Sequence, residues 1–164
     1  MKLLNVPGTP RVPLLRALFA LFVSLSSFVA AARADFYVGP TALGNGSGSD
    51  WNNRAGYMDA AFWSARQADL ASGPVVVRFA GASYTQGMLD LSNKGHPVNL
   101  LTLMANTLHA PVFSSAVTHQ LKLRGAQNIR VHGLTFSGPN ITSFAVWLQS
   151  SGKNTSRFIT FDDC

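Results

Sequence analysis

Cysteine is almost missing from this chain: Cys164, the last residue, is the only one. A disulfide framework within the chain is therefore excluded, and packing and hydrogen bonds must hold the fold. An odd cysteine in an exported chain points to a partner thiol or to a small buried apolar residue, and the second is expected here. Glutamate is absent altogether, so aspartate supplies all seven acidic side chains. That leaves few oxygen ligands for a cation such as Ca²⁺, which takes about six to eight, and no metal site is assigned. No apolar run reaches the roughly 20 residues that span a bilayer. Nor is there a G-x-S-x-G, Walker or dinucleotide fingerprint, which removes the motif-based readings of hydrolase, nucleotide and flavin chemistry. His96, His109 and His119 neighbour loop or turn residues and share no metal-ligand spacing.

The N-terminus, by contrast, is strongly patterned. Lys2, Arg11 and Arg16 precede an uncharged apolar run, Leu18 to Val29, which leads to Ala32-Arg33-Ala34. A positive segment, a short apolar core and an A-x-A site are the three parts of a secretory signal peptide. The reading is a signal over residues 1–34 and a mature chain from Asp35, secreted to the extracellular space or the periplasm, with no membrane association after cleavage. The formal charge of +6 then changes meaning. Four of the 13 basic residues (Lys2, Arg11, Arg16, Arg33) lie in the signal and all seven aspartates follow it, so the mature part carries nine minus seven, or +2. The remaining basic residues are dispersed, and no nucleic-acid partner is expected.

The mature chain begins with a short strand, Asp35 to Pro40, and a Gly/Ser/Asn-rich loop over 41–53 that Trp51 is expected to pin. A helix is predicted at about 57–71. Its apolar stripe would be Met58, Phe62 and Ala65 with Ala61 and Ala68, its flank Arg66 and Asp69, and its stop Ser72-Gly73-Pro74. From residue 75 the pattern becomes short strands separated by Gly, Asn, Pro or Ser: 75–79, 88–91, 99–104, 111–114, 120–124, 129–132, 134–136, 144–149 and 158–161. Several alternate. Leu121 and Leu123 oppose Lys122 and Arg124, and Ile129 and Val131 oppose Arg130 and His132, so one face is apolar and the other wet. A meandering sandwich gives the same local signal. Spacing argues further. Leu101-Thr102-Leu103, Ile129-Arg130-Val131 and Ile159-Thr160-Phe161 align with steps of 28 (101 to 129) and 30 (129 to 159) residues. The same register places His132 over Asp162 and Leu134 over Cys164. Such periods suggest a repeat in which each turn stacks on the last.

The segment Pro97 to Gly138 (PVNLLTLMA…APVFSS…QLKLRGAQNIRVHGLTFSG) resembles the early turns of the pectate-lyase-like right-handed parallel β-helix superfamily, and Phe36 to Asn53 is similar to the opening of exported members. The resemblance covers nearly all of the mature chain and is architectural. It implies an all-β solenoid with the strand, loop and capping helix in 35–73 and β-helix turns in 74–164. No C-terminal cap is visible, so the expectation is the N-terminal part of a longer protein. Members often cleave acidic polysaccharides by β-elimination, using a base and a cation or arginine, and Ca²⁺ is a possible cofactor of the full-length protein. Polysaccharide is the partner so implied. The resemblance supplies no catalytic residue. Lys122, Arg124, Arg130 and His132 form a candidate outward basic strip for a sugar carboxylate, with an ordinary solvated face as the alternative. Trp147 points outward if Val146 and Leu148 point inward, either to stack on a sugar or to pack under a loop. Asp162 and Asp163 would face opposite ways on a strand; at a turn both could hold Ca²⁺, or simply form the turn. Asn45, Asn140 and Asn154 are glycosylation sequons. Two functions compete: a polysaccharide lyase or related hydrolase, and a non-catalytic surface or adhesion protein that binds carbohydrate.

Overall fold

The computed structural model describes residues 33–138, 145–152 and 154–164. Most of the signal segment, the Asn140 sequon and Phe144 lie outside them. The described chain is mostly β, in three parallel sheets, with one α-helix. Among these residues no helix is long and apolar enough to cross a membrane.

Twelve strands follow one another: β1 (Ala34–Gly39), β2 (Ala55–Gly56), β3 (Val75–Phe79), β4 (Ser83–Tyr84), β5 (Leu89–Asp90), β6 (Leu101–Ala105), β7 (Val112–Phe113), β8 (Leu121–Lys122), β9 (Gln127–His132), β10 (Thr135–Phe136), β11 (Val146–Trp147) and β12 (Arg157–Asp162). From β3 onward, consecutive strands visit the three sheets in turn. The first sheet has the order β12-β9-β6-β3-β1-β2, the second β10-β7-β4 and the third β11-β8-β5. Every pairing between strands is parallel. The spacing argument holds at residue level: Leu101 pairs with Ile129, and Ile129 with Ile159. His132 pairs with Asp162, where the ladder ends.

That register builds the core, because residues in line on parallel strands lie about 4.8 Å apart and share a face. Val75, Leu101 and Ile129 form one buried column, and Val77, Leu103 and Val131 the next. Leu89 and Leu121 continue to Val146 in the third sheet. In the second sheet the column is aromatic. Tyr84 stacks on Phe113 at 4.7 Å and 14°, and Phe113 on Phe136 at 5.3 Å and 26°. Tyr84 is fully buried, and burial pushes its hydroxyl pKa up. That hydroxyl donates to the Ala80 carbonyl, so it is not an orphaned polar group.

The helix α1 (Ala60–Asp69) is shorter than expected, and of the expected apolar stripe only Phe62 faces inward. Asp59 caps it, its carboxylate accepting from the Ala61 and Phe62 amides. Phe62, Trp63 and, just past its end, Leu70 are buried, while Ala61, Ala65 and Ala68 face solvent and Met58 is 49% exposed. The large side chains win the inward face because they remove far more apolar area from water than alanine does. Arg66, expected on a flank, lies flat with its guanidinium carbon 3.4 Å from the Phe36 ring centroid and pairs with Asp69. Gln67 clamps Gly95 in the turn before β6, accepting from its amide and donating to its carbonyl. Trp51 pins the glycine-rich loop as expected, packing edge-on against Tyr37 at 4.7 Å.

Two further expectations need correction. Leu148 is 51% exposed, because β11 is the outermost strand of its sheet among the described residues, with a paired neighbour on one side. Cys164 is exposed, not buried: it follows Asp163, whose φ of 52° turns the backbone away from the ladder. Its thiol is a weak donor at 3.5 Å from the Val131 carbonyl oxygen.

Candidate functional site

Two groups of outward side chains emerge, on different sheets. On the third sheet the register aligns Asp90, Lys122 and Trp147. Lys122 Nζ donates to Asp90 Oδ2 at 2.8 Å and lies 5.5 Å from the Trp147 ring centroid. His119 also packs against the indole, with ring centroids 4.6 Å apart and the planes tilted by 41°. Trp147 is therefore half-buried, with part of its ring left to solvent. Burial works against the charged form of the Asp90 carboxyl, but hydrogen bonds from Lys122 and Ser92 outweigh it and hold the pKa below the ordinary value.

On the first sheet, Arg78, Met104, His132 and Asp162 form one outward column. Arg130 stands in the neighbouring column and reaches across. Its Nε and Nη2 donate to the two Asp162 oxygens at 2.9 and 2.6 Å, a bidentate pair. His132 Nδ1 lies 2.7 Å from Asp162 Oδ2 and 3.5 Å from Asp163 Oδ2. Adjacent aspartates on a regular strand would face opposite ways. The left-handed φ at Asp163 breaks the alternation and brings both carboxylates to one imidazole. Arg130, with help from His132, pulls the Asp162 pKa down to about 2, and Asp162 in turn raises that of Arg130. At the far end of the column Arg78 donates twice to Asp35 Oδ2 and approaches the Met104 sulfur at 3.5 Å.

The proposed strip is thus divided. Lys122 and Trp147 are together, Arg130 and His132 are together, and the two pairs lie on separate sheets. Arg124 is exposed just beyond β8, with no ion pair among the described residues. The sequence reading missed Asp90 and His119 as neighbours of Lys122 and Trp147. The steps that align them, 32 residues from 90 to 122 and 25 from 122 to 147, are too unequal to read as a period. It also missed a polar cleft of about 220 Å³ beside the turns, lined by Asn93, Gly125, Gln127, Asn154, Thr155 and Arg157.

The cluster of His132, Asp162 and Asp163 does not fit calcium. It offers an imidazole nitrogen and two carboxylates, whereas Ca²⁺ takes about six to eight oxygen ligands. Comparison with known protein families, with curated proteins and with solved structures finds no match to this chain.

Proposed function

We propose that this chain is an exported, pectate-lyase-like right-handed parallel β-helix protein that acts on polysaccharide through its outward sheet faces. One observation carries the reading: strands 23 to 32 residues apart stack in parallel register, which lines outward polar and aromatic side chains into columns. A polymer of repeating sugar units is the ligand that a repeating wall suits. Trp147 offers an apolar face for a sugar ring, and Lys122 and Arg124 supply cationic charge. In the catalytic form of this reading the reaction is β-elimination at a sugar acid, with calcium as a possible cofactor bound outside the His132 cluster.

The test has three parts. Amino-terminal sequencing of the exported protein is expected to begin at Asp35. Incubation with pectate, alginate and chondroitin, with and without Ca²⁺, is expected to raise ultraviolet absorbance as unsaturated product forms. Retention on the immobilised polymers is expected to fall in Trp147→Ala. No retention on any polymer and no absorbance rise would overturn the proposal.

A second reading is favoured by a specific feature. Arg130 and His132 both bind Asp162, so neither is poised to neutralise or deprotonate a substrate. A carbohydrate-binding surface or adhesion protein needs no such freedom. Retention without product formation selects this second reading.

A further inference from the structure

The His132 cluster is poorly explained as a fold-stabilising ion pair alone. Arg130 by itself satisfies both Asp162 oxygens, yet His132 and Asp163 converge on the same spot. Their ligand atoms all lie within 4.8 Å of one another. We infer that His132, Asp162 and Asp163 form a site for a divalent transition metal of the Zn²⁺ class, on the outward face where β9 and β12 meet.

Donor type argues for that class. An imidazole nitrogen with two carboxylate oxygens suits zinc, cobalt or nickel, and magnesium and calcium prefer oxygen throughout. Geometry agrees. Two ligands each about 2.1 Å from a tetrahedral ion stand roughly 3.4 Å apart. His132 Nδ1 and Asp163 Oδ2 already stand 3.5 Å apart. Nδ1 and Asp162 Oδ2, at 2.7 Å, must open by about 0.7 Å to reach that spacing, which a side-chain rotation supplies. Arg130 then acts as an outer partner: it keeps its bond to Oδ1 and fixes the carboxylate while Oδ2 turns to the metal. Water completes the coordination, since Asp163 is exposed and the site opens to solvent.

The site is independent of any polysaccharide activity and is tested by direct binding. The purified protein is titrated with Zn²⁺ by calorimetry and with Co²⁺ by visible absorption. The expected result is one saturable site per chain, with an intense tetrahedral Co²⁺ spectrum. His132→Gln and Asp163→Asn are each expected to weaken binding by at least about tenfold, while His109→Gln, at an exposed histidine elsewhere, leaves it unchanged. Among the described residues Asp163 forms its one ion pair with His132, so its variant tests the site even where the His132 change disturbs β9. The absence of one-to-one binding, or binding in Asp163→Asn equal to that of the unaltered protein, would overturn the inference.

Discussion

At the scale of single residues, Asp162 does the most electrostatic work. Its carboxyl is held at about 2 in the folded protein, against about 3.9 in an unfolded chain. The folded state therefore binds fewer protons, and the contribution is complete above the unfolded value and lost as pH falls through the folded one. Denaturant melts are expected to show stability declining between about pH 4 and pH 2, with Asp162→Asn losing that part of the profile. The buried aromatic Phe113 works through packing instead. Its ring touches Tyr57, Phe79, Tyr84 and Phe136. Phe113→Ala is expected to cost about 3–5 kcal/mol in the same melts, because the stacked column leaves little room to collapse into the void. Phe113 was legible as part of a strand, but its place in an aromatic column was not. That column depends on steps of 29 residues from Tyr84 and 23 to Phe136, which reveal no fixed period.

At the scale of elements, the helix shows how local pattern and tertiary demand diverge. Its existence and its end were readable from alanine content and Ser72-Gly73-Pro74. Its inward face was not, because spacings of three and four fit both the alanine stripe and the Phe62, Trp63, Arg66 and Leu70 face. The choice came from Phe36 and Phe79, whose rings receive Phe62 and Trp63. Asp59→Ala removes the cap and is expected to lower stability by about 1 kcal/mol. The turn at Gly95 is far stricter. With φ at 102°, a β-carbon there would lie 1.8 Å from the Gln127 carbonyl oxygen. Gly95→Ala is expected to destabilise more than Asp59→Ala, by thermal melting, since backbone rather than a side chain must move.

At the scale of the whole described unit, stability is graded along the stack. Strands β3 and β6 are paired on both sides, whereas β12 has one paired neighbour, β9. Ile159 is only partly buried, and Phe158 is 70% exposed. Amide exchange is therefore expected to be slowest in β3 and β6 and fastest in β12, reflecting local opening of the less-covered strand. Equal protection in β6 and β12 would mean that the stack opens only as a single unit.

The sequence by itself determined that short strands dominate after residue 75, that their alternate residues divide inside from outside, and that residues 101, 129 and 159 share a register. Those features are local or evenly spaced, and a chain records them directly. Tertiary structure alone decided which outward residues meet. Turn lengths differ between sheets, so Asp90, Lys122 and Trp147 converge without a common interval. One left-handed residue, Asp163, turns a carboxylate toward His132 that strand alternation would have sent away. A side chain's direction follows the backbone angles before it, and those are settled only once the neighbouring strand is in place.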